Sequence, residues 1–213
     1  MVEIPLILRL KRESHKKIAE AQDLIIRELY LVFNDAVLHG GTSIWRCYDG
    51  NRFSEDIDIY IPKEVNKINL LFKNLENKGF IVEKKKIGEN SLYSNLKIGG
   101  VFVRLEALFK KAKGSLKEYE TVESNFITIY TLTPEELILE KVDTYLKRLK
   151  IRDLYDIFFL LRFVKNKFEI RDKLEYLIKS FKNPLDEREL KIILLEGITP
   201  NTEKMLEYIK RYI

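Results

Sequence analysis

Of the 213 residues, 46% are hydrophobic and 33% are charged, a composition that is typical of a folded globular protein and excludes a disordered chain. The net charge of +5 allows a nucleic acid or phosphate partner without requiring one, since the abundant Lys, Glu and Ile could equally reflect a hot or AT-rich source. Cys47 is the only cysteine and His15 and His39 are the only histidines, which excludes an intrachain disulfide and argues against a cysteine or multi-histidine zinc site.

The start of the chain does not have the pattern of an export signal. A short apolar run is followed by Arg9, Lys11 and Arg12, whereas a signal peptide carries its positive charges before its apolar segment. No uninterrupted apolar run reaches the length needed to cross a membrane. We therefore expect a soluble, cytoplasmic protein without a membrane partner.

The first part of the chain, residues 1–132, alternates between helical and strand patterns. Apolar residues at helical spacing predict helices over residues 14–31, 42–48 and 63–78. Runs rich in β-branched and aromatic residues predict strands over residues 35–38, 56–61, 80–86, 91–98, 101–109 and 126–132. Gly99-Gly100 predicts a hairpin turn between two of these strands.

The second part of the chain, residues 133–213, contains only helical patterns. It opens on a strong helix start, because Thr133 is followed by Pro134 and then by Glu136 at the third position after the cap. Helices are predicted over residues 134–149, 152–165, 171–181, 186–195 and 202–211. The sequence therefore predicts a mixed α/β domain followed by a helical domain.

Asp56 and Asp58 lie one residue apart in a predicted strand whose isoleucines would face the core. Because strand side chains alternate, Ser54, Asp56 and Asp58 share the opposite face, with the two aspartate Cα atoms about 6–7 Å apart. Converging carboxylates can hold divalent metals, which lie about 3.5–4 Å apart in two-metal phosphoryl sites. Aspartate is a poor strand former, so the pair indicates a chemical role.

A glycine turn precedes this pair, between a predicted strand and a predicted helix. There the backbone N–H groups of Gly40 and Gly41 can face a phosphate, and the Thr42 hydroxyl would add a donor. A Gly-Gly turn alone is more often only a turn, but the aspartate pair would supply the metal that neutralises a triphosphate. We expect Arg52 and Ser54 to line the phosphate side.

Two further features allow more than one interpretation. Glu106 would be a third metal carboxylate, or it would form an exposed pair with Arg104 on a half-buried strand. Lys141 would contact a nucleotide phosphate, or it would be one more solvated lysine.

The two aspartates at positions 153 and 156, called here the late acids, also allow more than one interpretation. Asp153 and Asp156 would belong to the site, or they would be first-turn acids that complement a helix dipole. Asp156 could also simply pair with Arg152 at four-residue spacing.

Two sets of residues, taken together, resemble the AbiEii-type nucleotidyltransferase toxin family, which belongs to the DNA-polymerase-β-like nucleotidyltransferases. The sets are Gly40-Gly41-Thr42 with Arg52-Phe53-Ser54-Glu55-Asp56-Ile57-Asp58-Ile59, and Glu140-Lys141 with Arg152-Asp153-Leu154-Tyr155-Asp156-Ile157. The first set is shared widely among such transferases, and its combination with the second is specific to this family. The resemblance spans residues 37–161 and fades in the C-terminal helices.

The resemblance implies an α+β fold, with a polymerase-β-like core of a small mixed sheet and flanking helices over residues 1–132. It implies a helical domain over residues 133–213 that contributes to the catalytic cleft. The implied reaction is a Mg²⁺- or Mn²⁺-dependent transfer of a nucleoside monophosphate (NMP) from an NTP, with release of pyrophosphate. In related toxins the acceptor is the 3′ end of tRNA, and a neighbouring antitoxin, often a winged-helix DNA-binding protein, opposes the toxin.

The resemblance also implies roles for individual residues. Asp56 and Asp58 would be metal ligands, with Glu106 added by position only. The triphosphate would be lined by Gly40, Gly41 and Ser54, the nucleotide contacted by Lys141, and the late acid would be Asp153 or Asp156.

Two alternative functions stay open. The first is nucleotidyl transfer to a small molecule or a protein. The second is a non-catalytic nucleotide-binding module of the same fold, against which the presence of both the aspartate pair and Lys141 argues.

Overall fold

The computed structural model describes residues 5–213, so that the first four residues of the amino-terminal apolar run lie outside it. The chain forms two compact units. The first holds the residues up to Asp49 together with Phe53–Thr131, and the second holds Gly50–Arg52 and Leu132–Ile213. Across residues 5–213, no helix combines the length and apolar character needed to cross a bilayer.

The first unit is built on a seven-stranded mixed sheet. Its strands are β1 (Val37–His39), β2 (Ile57–Ile61), β3 (Ile81–Ile87), β4 (Ser91–Ile98), β5 (Val101–Phe109), β6 (Ser115–Glu120) and β7 (Phe126–Thr131). Their order across the sheet is β3-β4-β5-β2-β1-β7-β6. The β1–β7 and β2–β5 pairs are parallel and the other pairs are antiparallel, which confirms the predicted mixed sheet.

Strand β6 was not predicted from the sequence. Its residues do not alternate between apolar and polar, and only Tyr119 among them is buried. The strand forms because it pairs with β7 along its whole length. Its place in the sheet therefore comes from tertiary pairing and not from local pattern.

The helices of the first unit are α1 (Leu6–Arg9), α2 (Glu13–Val32), α3 (Gly40–Cys47) and α4 (Val65–Asn77). Helix α2 packs against α4 and β5, and Ile57, Ile59 and Leu105 are fully buried on this covered face of the sheet. Because side chains alternate along a strand, Asp58 and Glu106 lie on the opposite, open face, where both are partly exposed. The isoleucines of β2 thus determine which way Asp58 points.

The second unit contains helices α5 (Pro134–Arg148), α6 (Ile151–Leu160), α7 (Phe168–Lys179), α8 (Leu190–Ile193) and α9 (Thr202–Lys210). The start of α5 is the predicted capping box. The Thr133 hydroxyl accepts a hydrogen bond from the Glu136 N–H, and the Glu136 carboxylate accepts one from the Thr133 N–H at 2.8 Å.

The helix predicted over residues 186–195 forms only in part. Glu187–Glu189 is a 3₁₀ turn and α8 covers four residues. The chain then becomes extended, because Leu194 forms an antiparallel bridge with Arg52 and the Leu195 N–H donates to the Asn51 carbonyl at 3.1 Å. This pairing includes residues of the segment Gly50–Arg52, which belongs to the second unit although it is far away in the sequence.

Candidate active site

The open face of the sheet brings three predicted metal ligands together. In the parallel pairing of β2 with β5, Asp58 lies directly opposite Glu106, and Asp56 stands one residue before β2. On its other side Asp58 is paired with His39 of β1. The imidazole of His39 stacks on the ring of Tyr60, with the ring centroids 3.9 Å apart, and so helps to build the wall of the site.

A cavity of about 290 Å³ opens at these carboxylates. It is lined by His39, Asp58, Ser91, Leu92, Tyr93, Glu106, Ala107 and Leu108. Two carboxylates that belong to neighbouring strands therefore face the same space, as a metal-assisted reaction would need.

Arg104 is the residue at this site whose role the sequence did not reveal. Its guanidinium forms two hydrogen bonds to the Asp56 carboxylate, one of them from Nε to Oδ1 at 3.1 Å, and its Nε also lies 3.0 Å from Oε1 of Glu106. The hydrogen bond to Asp56 raises the pKa of Arg104. The Arg104–Glu106 pair suggested by the sequence thus exists. Arg104 also binds Asp56, a contact that the spacing of residues along the chain could not predict.

Arg104 occupies the Asp56 carboxylate that a bound metal would use. Among residues 5–213, no three His, Cys, Asp or Glu side chains are already grouped as a metal site. The donor set itself fits a hard divalent cation, since it consists of carboxylate oxygens. Burial raises the pKa of Glu106, Arg104 lowers it, and the negative charges of Asp58 and Asp56 raise it again. These crowded charges would be relieved by a cation once Arg104 releases Asp56.

Gly40 lies directly against the Asp58 side chain. Gly40 has a φ of +70°, and a methyl group built on its Cα would overlap Oδ2 of Asp58. The helix α3 begins at Gly40, so its first N–H groups lie beside this carboxylate. Only glycine meets both requirements, the left-handed φ and the close approach.

Replacing Gly40 with Ala is expected to lower activity about 10- to 100-fold, because the added methyl group must displace Asp58 from its position. Stability should fall by about 1–2 kcal/mol through the left-handed φ. The matched control is Gly99→Ala, where φ is +57° and no atom lies within 4 Å of the added Cβ. Steady-state rates and thermal melts check this, and full activity of the Gly40→Ala variant would contradict it.

Gly41 and Thr42 lie in the first turn of α3, and only the Thr42 side chain is placed differently from the prediction. Both are buried, and the Thr42 hydroxyl donates to the main-chain carbonyl of Asp56. The hydroxyl is therefore used to hold the loop that carries Asp56, which corrects its expected role as a phosphate donor. Ser54 is half-buried, and its carbonyl accepts a hydrogen bond from Nε2 of Gln22 at 2.9 Å.

The second unit holds a cluster of charges around two fully buried aspartates. The guanidinium of Arg52 donates two hydrogen bonds of 2.5 Å to Asp156. Nζ of Lys141 lies 2.7 Å from Asp156 and 3.4 Å from Asp153. Arg148 in turn donates to Asp153 at 2.7 and 2.8 Å. With three cations and two carboxylates ionised, the cluster carries one positive charge in excess.

The burial of this cluster resolves several open interpretations. Lys141 is 7% exposed and both aspartates are fully buried, so Lys141 is not a solvated surface lysine. Asp156 pairs with Arg52 and Lys141, which corrects the proposed simple pair with Arg152. Arg52 is 4% exposed and donates two hydrogen bonds to Asp156, and its place on the phosphate side stays a prediction.

The contacts of Asp156 lower its pKa. Burial alone raises the pKa of Asp156, but the charges and hydrogen bonds of Arg52 and Lys141 outweigh it and leave the pKa below its ordinary value. Likewise, burial lowers the pKa of Arg52 and the Asp156 carboxylate raises it, with a net rise. Both residues therefore stay charged inside the unit.

One family model and two solved structures are similar to this chain. The model of the family described as "Nucleotidyl transferase AbiEii toxin, Type IV TA system" matches residues 25–210. The solved structure of JHP933 from Helicobacter pylori is similar over 94% of this chain and 90% of its own, with a TM-score of 0.67 and 18% identity. The nucleotidyltransferase toxin MenT4 from Mycobacterium tuberculosis H37Rv is similar over 99% of this chain and 88% of its own, with a TM-score of 0.67 and 15% identity. No significant match is found among curated protein sequences. The two structures confirm the predicted polymerase-β-like α+β fold.

Proposed function

The chain belongs to the AbiEii family of nucleotidyltransferase toxins of type IV toxin–antitoxin systems, and from this we propose that it transfers an NMP from an NTP to the 3′ end of a tRNA in the cytoplasm, with Mg²⁺ or Mn²⁺. A cognate antitoxin would oppose it, and we propose a winged-helix DNA-binding protein for that role. The observation that carries the proposal is the pairing of Asp58 with Glu106 beside Gly40 on the open face of the sheet.

In the first unit, separate residues would bind the metal and the triphosphate. Asp56, Asp58 and Glu106 would hold the divalent metal, which when bound supplies a Lewis acid at the reacting phosphate. Gly40 lets the main chain approach the triphosphate, and the start of α3 would offer its N–H groups to the phosphate oxygens. Thr42 holds the Asp56 loop, so that the carboxylates keep their mutual positions.

In the second unit, Lys141 stays our candidate for the nucleotide contact, and Asp153 and Asp156 are the candidates for the late acids. Lys141 is held by both aspartates, which fixes Nζ in one place. A lysine fixed in this way needs less ordering when it meets a phosphate than a free surface lysine does. The surplus positive charge of the cluster favours the same ligand.

Labelled NTPs test the proposal and its alternatives together. Each reaction contains the protein, one α-³²P NTP and one class of acceptor. The acceptor classes are total RNA, lysate protein and a panel of aminoglycosides. We expect label on tRNA alone. Label on protein or on an aminoglycoside would favour the small-molecule or protein acceptor. Mg²⁺-dependent NTP binding by calorimetry with no transfer to any acceptor would favour the non-catalytic module.

Arg104 gives a prediction on metal binding that does not depend on turnover. Replacing Arg104 with Gln is expected to raise the affinity for Mn²⁺ about fivefold in the absence of nucleotide. The variant lacks the ion pair between the Arg104 guanidinium and Asp56, which contributes about 1 kcal/mol and competes with the metal. The loss of the free Mn²⁺ signal in electron paramagnetic resonance measures this binding. Arg27→Gln, at an exposed arginine on α2, should leave it unchanged. Weaker Mn²⁺ binding in Arg104→Gln would show that Arg104 supports the metal site and does not compete with it.

A further inference from the structure

The open face of the sheet continues from the carboxylates to a basic edge. The strand registers place one residue from each of five neighbouring strands in a single row, namely Lys86, Tyr93, Glu106, Asp58 and His39. Residues directly opposite each other in a sheet lie on the same face. With strands about 4.8 Å apart, Lys86 stands about 10 Å from Glu106, and Tyr93 lies between them.

A second row reinforces the first. The register shift between Val82 and Lys84 brings Lys84 onto the same face as Lys86, where it is paired with Asn95, and Asn95 is paired with Arg104. Nζ of Lys84 lies 5.1 Å from the centroid of the Tyr93 ring. By contrast Lys85 points to the covered face, where it lies over Phe72 of α4 at 4.3 Å.

The basic edge has a cavity of its own, of about 300 Å³, lined by Lys84, Lys86, Gly88, Ser91 and Tyr93. Ser91 and Tyr93 also line the carboxylate cavity, so the two cavities adjoin. Lys84 and Lys86 are both exposed, and neither forms an ion pair with any residue of the range 5–213. One end of this surface is therefore positive and aromatic, and the other end carries the carboxylates.

We propose that this surface, formed by Lys84, Lys86 and Tyr93, binds the single-stranded 3′ end of an RNA acceptor. The inference rests on the proposed function and adds to it the place where the acceptor lies. Lys84 and Lys86 contact backbone phosphates, and Tyr93 stacks on a base, as aromatic side chains do in proteins that bind single strands. The terminal hydroxyl then points along the row toward Glu106 and Asp58.

The chemistry of the surface favours RNA over the other acceptor classes. Polycationic small molecules such as aminoglycosides are repelled by two unpaired lysines. A polynucleotide needs both features that the surface offers, cations at the spacing of a backbone and a ring for stacking. The negative charges of Asp58 and Glu106 repel the phosphates of the acceptor and keep them at the lysine end. The bound RNA therefore has a single orientation on this surface.

Binding of a short fluorescent single-stranded RNA, measured by anisotropy without NTP, tests the proposal. The double variant Lys84→Gln/Lys86→Gln is expected to bind about tenfold more weakly, and the slope of log K against log salt should become shallower by about 1.4, since each phosphate contact on a single strand contributes about 0.7. Tyr93→Ala should lose about tenfold, and Tyr93→Phe should bind like the wild type because the ring remains.

The control is Lys17→Gln/Lys73→Gln, which removes two exposed lysines from α2 and α4 on the covered side and should change neither affinity nor slope. Melting temperatures of all variants are compared to exclude misfolding. In the transfer assay, Lys84→Gln/Lys86→Gln should raise the KM for RNA and leave the Kd for NTP unchanged.

The outcomes separate the location from the function. If the wild type labels RNA but the lysine and Tyr93 variants bind RNA as well as the wild type does, the location is wrong and the proposed function still stands. Wild-type label on protein and not on RNA overturns both. Label on RNA without binding of the single-stranded RNA overturns the location alone. A loss of affinity with an unchanged salt slope also counts against the location, because it shows that the lysines do not contact phosphates.

Discussion

Transfer of NMP by the Asp58→Asn variant is expected to be at least about 1,000-fold slower than by the wild type, since about 4 kcal/mol of transition-state stabilisation is lost with the negative charge that the metal requires. The rate is measured as label transferred from each α-³²P NTP to total tRNA. Asp58 is the residue most central to the site, being paired with Glu106 on one side and with His39 on the other.

The fold should survive this change. The negative charge of Asp58 is one of the causes that raise the pKa of Glu106, so its removal relieves repulsion and should leave the melting temperature equal or higher. Asp35→Asn, at an exposed aspartate just before β1, is the matched control and should transfer at the wild-type rate. Equal transfer by the Asp58→Asn variant and the wild type would contradict the proposed role of the carboxylates.

Replacing Asp156 with Asn is expected to destabilise the protein by about 3–5 kcal/mol, because Arg52 and Lys141 would be left buried without their shared counterion. Unfolding in urea, followed by circular dichroism, measures the change. The matched control is Glu175→Gln, which removes the exposed pairs with Arg171 and Lys179 and should cost less than about 1 kcal/mol. A loss of similar size in both variants would show that burial adds nothing to the Asp156 contacts.

The pairing of Asp156 with Arg52 and Lys141 also predicts how the stability of the protein depends on pH. The pKa of Asp156 is lowered in the folded protein, so its contribution to stability is fully present above the ordinary value of 3.8. That contribution is lost as the pH falls through the lowered folded-state pKa. Wild-type stability should therefore decrease faster below pH 3.8 than that of Asp156→Asn, which has no carboxylate to protonate at this position. Parallel curves for the two proteins would contradict this.

Local sequence pattern was a good guide where neighbours along the chain determine the structure. The capping box at Thr133 is such a case, since both of its hydrogen bonds are made within three residues. The isoleucines of β2 are another, because alternation alone sets Asp58 on the face away from the core. The assignment to a family also depended on such short stretches.

Pattern was a poor guide where contacts join distant segments. Arg104 and Asp56 are 48 residues apart and meet only because β5 lies beside β2. Arg52 precedes the aspartate strand, and its pairing with Asp156 at a distance of 104 residues is not visible in the local pattern. The acceptor of the Thr42 hydroxyl is also outside the reach of sequence pattern, since it is a main-chain carbonyl whose direction no pattern shows.

The segment Gly50–Arg52 bears on how the protein can be divided. The chain leaves the first unit after Asp49, passes through the second unit, and returns at Phe53. A fragment that begins at Leu132 would therefore lack the bidentate partner of Asp156, and a fragment that ends at Thr131 would carry Arg52 without its carboxylate. Truncation at the apparent boundary should yield two unstable pieces, whereas mixing both fragments could restore the missing ion pair. Proteolytic fragments that refold only in each other's presence would be the sign of this arrangement.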